Sequence, residues 1–133
     1  MAEIVRESES ITKHIGDVIK QHMDLQWILK TDIAICALVS DREKKSNGKF
    51  VLGECVRVKD LYKPFCPFDF LIVIYEKNCV GLDERQFDIL LYHELLHIGM
   101  NEKKEETVYV INPHDVEEFR TIIDKYGIDW QGR

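Results

Sequence analysis

Residues 87–99 read FDILLYHELLHIG, and the order of polar and apolar letters in that stretch organises the whole chain. His93 and His97 stand four apart, so both imidazoles lie on one face of a helix, within reach of a single metal ion. Glu94, next to the first His, falls beside that ion and can take a proton from a bound water. The rest of the stretch is apolar nearly all round. At about 100° per residue, Phe87, Leu91, Leu95 and Ile98 cover one side, and Ile89, Tyr92 and Leu96 another. His93, Glu94 and His97 fill the gap with Gln86 and Leu90, as the only strongly polar strip past the first turns. A helix of this kind belongs at the centre of a fold. Burying its polar strip without partners is costly, and a metal is the simplest partner that satisfies both His together. Asp83 with Gln86 reads as a capping box at the start, and Gly99 as a left-handed cap at the end.

Outward from this helix the pattern alternates between strands and helices. Ile11, Ile15, Val18, Ile19, His22 and Leu25 share one stripe, predicting a helix over 9–29 started by Ser8 or Ser10. Residues 32–40 (DIAICALVS) read as a buried strand. Asn47-Gly48 signals a tight turn. Phe50, Leu52, Val56 and Val58 alternate with polar positions, predicting a half-exposed strand paired with the one before. Pro64 and Pro67 mark a loop, and residues 68–75 (FDFLIVIY) read as a second buried strand. Residues 101–106 form a charged loop and 107–111 (TVYVI) a short strand. A final helix runs to about Tyr126, with Val116, Phe119, Ile122, Ile123 and Tyr126 as its buried stripe. The fold class is α+β, in one domain over residues 1–133.

The bulk composition excludes several functions. An apolar fraction of 45% and a charged fraction of 32% describe a globular protein able to bury a core. The net charge of −6 argues against a general nucleic-acid-binding surface, and the basic cluster at 42–49 reads as a solvated turn. No apolar run is long enough to span a membrane. The first ten residues lack an apolar h-region, so no signal peptide is expected and the expected compartment is the cytoplasm. Cys36, Cys55, Cys66 and Cys79 form no C-x-x-C pair and read as reduced thiols, with Cys36 in the core and Cys66 a loop packing residue. His22 reads as a partly buried core histidine and His14 as a surface one.

A catalytic zinc takes three protein ligands and leaves one position for water. A third His in an xxGxxH extension is excluded, because Met100 and Lys103 stand where Gly and His are needed. His114 is the favoured third ligand. If Asp115 and Glu118 form a capping box, His114 is the residue just before the cap, free to point at the metal. If Asn112 is the cap instead, His114 projects away from the apolar stripe of the final helix. Glu117 or Glu118 is the alternative ligand, although Glu117 falls on the far side of that helix from its buried stripe.

HELLHIG followed by HDVEEF resembles the SprT-like zincins, and most closely the phage metallopeptidases. In those, strands similar to VLGECVRVKDLY and FDFLIVIYE precede YHELLH and PHDVEEF. The resemblance covers roughly residues 30–126. It implies a zincin-like arrangement in which a small, mostly antiparallel sheet packs on an N-terminal helix, the central HExxH helix and a C-terminal helix. It implies that His93, His97 and His114 bind Zn2+, that Glu94 is the catalytic acid/base, and that Phe119 is a packing residue. The implied substrate is a protein or peptide, in a bacterial or phage-infected cell. Members of the DNA–protein crosslink repair branch add a zinc ribbon or DNA-binding segments; this acidic sequence shows neither, so nucleic-acid binding by the domain alone is not expected. Tyr75, Tyr92, Tyr109 and Asn112 are candidate donors to an oxyanion. Asp69, Asp88 and Asp115 are candidate carboxylates behind the ligand His rings. The rival reading is a catalytically silent zinc-binding module that acts by binding a partner protein. Glu94 counts against it, because holding zinc does not require that residue.

Overall fold

A computed structural model describes residues 3–103, 106–113 and 125–126. The chain opens with a short strand, β1 (Val5–Glu7), and enters the first helix, α1 (Glu9–Gln21), through Ser8. Ser8 Oγ accepts the Ile11 N–H at 3.2 Å, satisfying a donor that the first turn leaves open. The helix is shorter than the apolar stripe predicts. Backbone at His22 is extended, and the chain continues as 3-10 turns over Met23–Lys30. This break is held from outside: the Tyr92 hydroxyl donates to Asp24 at 2.5 Å, and the His22 ring stacks on the Tyr92 ring at 3.8 Å.

Strand β2 (Ile35–Ser40) follows, then a hairpin of β3 (Lys45–Ser46) and β4 (Lys49–Phe50), then β5 (Gly53–Arg57) and β6 (Phe70–Tyr75). Asn47 and Gly48 at the hairpin tip both have positive φ, 52° and 78°, the geometry of a type I′ turn that favours Asn-Gly. The main sheet has the order β1-β2-β6-β5. Its outer pairings are antiparallel, and β2 runs parallel to β6 with Ile35 opposite Phe70 and Ser40 opposite Tyr75. β5 was expected beside β2, but β6 lies between them. β2 and β6 are continuous apolar runs suited to burial on both faces, so they take the centre. β5 carries Glu54 and Arg57 and takes the edge. The start of the two central strands is tied by Asp69, which is 8% exposed; its carboxylate accepts the Ala34 N–H at 2.7 Å and pairs with Lys63.

One face of the sheet carries the core. Ala37, Phe70, Ile72 and Ile74 meet Ile15, Val18 and Ile19 of α1 and Ile89, Leu91 and Leu95 of the second helix, α2 (Glu84–Leu96). Each such side chain contributes roughly 1.5–3 kcal/mol by leaving water. The capping box expected at the start of α2 is present: Asp83 Oδ1 accepts the Gln86 N–H at 2.8 Å and Gln86 Oε1 accepts the Asp83 N–H at 2.9 Å. α2 then feeds directly into β7 (Ile98–Lys103), which pairs antiparallel with β8 (Glu106–Ile111) as a separate two-stranded sheet. β7 falls where a charged loop was expected, because IGMNEK lacks the alternation that marks a strand. Gly99 is correspondingly a strand residue without positive φ, not a left-handed cap. The final helix lies outside the described residues except for Lys125 and Tyr126, which are helical. Among the described residues no helix is long and apolar enough to cross a membrane.

Candidate metal centre

His93 and Glu94 sit in the last turn of α2. His97 is the residue that caps it, still in helical backbone at φ −73°, ψ −20°. The i, i+4 relation of the two His therefore survives although the helix ends between them. One ligand atom from each of His93, Glu94 and His97 lies within 4.8 Å of the others. The two imidazole rings are 5.3 Å apart at 69°, edge toward face, so they do not stack and close off the space between them. Both rings are half-buried, whereas Glu94 is 3% exposed.

Asn112 fixes the end of the helix. Its backbone carbonyl lies 2.6 Å from His97 Nδ1. A carbonyl only accepts, so Nδ1 carries the proton and Nε2 is left with its lone pair, the tautomer that a metal ligand needs. The Asn112 N–H donates to the His97 carbonyl at 2.6 Å, and its side-chain amide donates to the carbonyls of Ile98 (3.3 Å) and Leu96 (3.5 Å). These bonds satisfy acceptors that a helix terminus leaves open. The approach is so close that a Cβ on Gly99 would lie 2.4 Å from Asn112 Oδ1. A side chain at Gly99 would thus displace the Asn112 amide, a constraint of contact and not of backbone angle. A neutral imidazole oriented by a carbonyl, beside a second imidazole and a carboxylate, is a donor set that suits a borderline divalent ion such as zinc.

Glu94 is enclosed by β5 and the connector before α2. A Cβ on Gly53 would lie 3.4 Å from Glu94 Oε2 and 3.1 Å from the Val73 carbonyl. The Cys55 thiol is pushed well above its ordinary range by burial and then by the negative charge of Glu94, and the Cys79 thiol to about 11 by the same two causes. Cys79 Sγ donates to the Leu52 carbonyl at 3.4 Å. The carboxylate is therefore buried beside the backbone of Gly53, with its charge felt by both thiols. Gly53, Cys55, Cys79 and the carbonyl of Asn112 were not singled out from sequence as neighbours of the motif. A glycine inside an alternating strand was the available signal, since it often marks a close approach.

The other candidates are engaged elsewhere. Tyr92 Oη is bonded to Asp24, Tyr75 Oη donates to Glu54 at 3.1 Å, and the Asn112 amide caps α2. Tyr109 rests its ring against Phe70, 6.0 Å away, with Lys63 Nζ 5.9 Å from its ring centre. Asp88 pairs with His14 at 2.5 Å and Asp69 ties the central strands. The carbonyl of Asn112 holds the place behind His97 for which a carboxylate was considered. His114, Asp115, Glu117, Glu118 and Phe119 lie outside the described residues.

A family model described as "Putative phage metallopeptidase" matches residues 3–132. Nothing matches among curated proteins or among solved structures.

Proposed function

The chain belongs to the phage metallopeptidase family, and from that premise we propose that it is a zinc-dependent, SprT-like peptidase of the HExxH type. In this reading His93, His97 and His114 hold the zinc, Glu94 is the general acid/base, and residues 1–133 act as one cytoplasmic domain. The observation that carries the reading is the convergence of His93, Glu94 and His97 together with the Asn112 carbonyl that holds His97 in its ligand tautomer.

When bound, zinc supplies Lewis-acid polarisation of the scissile carbonyl and acidifies the attacking water. Glu94 takes that water's proton on its carboxylate and hands it to the leaving amine. Its burial against Gly53 restricts the carboxylate to one place, which keeps the transfer local. His97 is held in register by Asn112, so the ligand face does not turn during the cycle. An extended peptide lies along β5, the last strand of the main sheet and the one beside Glu94, where main-chain hydrogen bonds hold it as a further strand.

The experiment that tests this reading is hydrolysis of an unfolded protein substrate by wild type and by Glu94→Gln, with metal content measured on both. Loss of cleavage with full metal retention is the expected result. Equal activity of the two, or activity that survives complete metal removal, rejects the assignment.

A further inference from the structure

The main sheet's edge strand β5 is preceded by a basic hairpin, and the two are one continuous stretch of chain. Residues 45–50 are all exposed. Lys44 is half-buried and paired with Glu54, which leaves Arg42, Lys45 and Lys49 as the exposed cations of the hairpin, against Glu43. Lys77, exposed at the hairpin's base, is next to Asn78. The hairpin is built rather than loose. Val51 N–H donates to the Lys44 carbonyl at 3.0 Å, and the Asn78 side chain donates to the carbonyls of Lys44 (3.0 Å) and Val51 (2.8 Å), clamping both legs onto the connector after β6. At the pair farther from the turn, Lys45 Nζ sits 4.7 Å from the centre of the Phe50 ring, which is 49% exposed. The second leg leads through Leu52, whose carbonyl accepts from Tyr75 N–H at 3.0 Å, to Gly53 against Glu94. From Lys49 to Gly53 is at most about 14 Å of extended chain.

We propose that this hairpin is an exosite that binds an acidic segment of the protein substrate, next to the stretch that is cut. The proposal rests on the peptidase reading and names its substrate class. A substrate strand laid along β5 continues past Phe50 and the cations of the hairpin. In a chain of net charge −6, a clamped, mostly basic cluster leading to the site steers a complementary partner and repels like-charged competitors. Phe50 adds apolar contact to the charge pairing. An acidic protein segment fits better than a nucleic-acid backbone. Tight phosphate binding needs many neutralised charges along a duplex or strand, and the rest of this chain opposes it.

The test is binding of a fluorescent peptide with an acidic flank, and of the same peptide with Gln and Asn in place of Glu and Asp. Both are measured by anisotropy on Glu94→Gln chains so that neither peptide is cut. The acidic peptide should bind about tenfold tighter than its neutral twin, with the difference shrinking as salt is raised. Lys45→Glu with Lys49→Glu should remove that preference, and Lys45→Gln with Lys49→Gln should remove part of it, with both variants melting as the parent does because these side chains are exposed. No preference for the acidic peptide, or a preference unchanged by both variants, overturns the proposal. A single-stranded oligonucleotide of matched charge that binds as tightly, with the same sensitivity to the variants, overturns it in favour of a nucleic-acid surface. Failure of wild type to cleave any protein would strike the peptidase reading and leave the binding result standing.

Discussion

At the scale of single residues, the site works through enclosure. Glu94 is 3% exposed, it lies against the hydrogen-only face of Gly53, and its charge helps keep the Cys55 and Cys79 thiols protonated. Glu94→Gln keeps the shape and removes the proton acceptor, so cleavage is expected to fall roughly hundred- to ten-thousand-fold while metal content stays unchanged. Gly53→Ala tests that contact. Its methyl would sit 3.1 Å from the Val73 carbonyl and 3.3 Å from Ile74 Cδ1, tighter than ordinary packing, and 3.4 Å from Glu94 Oε2, in ordinary contact; it should cost about 1 kcal/mol of stability. The same variant should lower kcat more than it raises KM, because relieving the Val73 contact shifts β5 against Glu94. A variant with unaltered kcat and stability would show that the enclosure has slack. The grouping of His93 and His97, with Glu94 beside them, was legible in the sequence because the i, i+4 spacing puts both His on one face of the helix. The place of Gly53 against Glu94 was not, because it depends on β5 pairing with β6.

At the scale of elements, the informative junction is α2 to β7. Apolar periodicity and the Asp83–Gln86 box revealed the helix and its start. Its end was misread: Gly after a helix usually signals a left-handed cap, whereas here the chain enters a strand and the cap comes from Asn112, fifteen residues beyond His97. No local pattern encodes a contact of that range. Gly99→Ala should push the Asn112 amide out of its place, weaken the His97 hydrogen bond, and lower metal affinity by roughly tenfold or more, read by competition with a chelator. The first helix supplies a second junction. His22 stacks on Tyr92, and Lys125 Nζ lies 3.2 Å from His22 Nδ1 and 2.7 Å from Tyr92 Oη. Burial first, then Lys125, lower the His22 pKa below its ordinary 6.5, with Asp24 and Asp88 opposing. The unfolded chain therefore binds more protons near pH 6 than the folded one. This contribution is complete above about pH 6.5 and is lost as pH falls through that value toward the folded pKa. Thermal melts between pH 5 and 8 should show a decline on the acid side that His22→Gln reduces; an unchanged slope in that variant contradicts the assignment.

At the scale of the molecule, one sheet face carries the main hydrophobic core, and the site stands at the end of the helix packed on it. The α+β class, the two central strands and the core helix could be read from apolar runs and helical periodicity. The strand order could not, because pairing β2 with β6 across the intervening hairpin and β5 is decided by which strands bury both faces. Ile72, fully buried between β2 and β5, is the position where this matters most. Ile72→Ala should cost about 2–5 kcal/mol and lower the melting temperature by several degrees for each of those kcal/mol. The same sheet places β5 beside Glu94, so strand order and chemistry are one arrangement. The claim on which all of this converges is a single metal held by His93, His97 and His114. The measurement that tests it most directly is metal content by mass spectrometry on untagged wild type, His97→Ala and His114→Ala, each offered zinc and then dialysed. The account predicts one zinc per wild-type chain, lost or greatly weakened in both variants. Wild type that takes up no zinc, or a His97→Ala chain that keeps it in full, would contradict the account; full retention in His114→Ala alone would move the third ligand to Glu117 or Glu118.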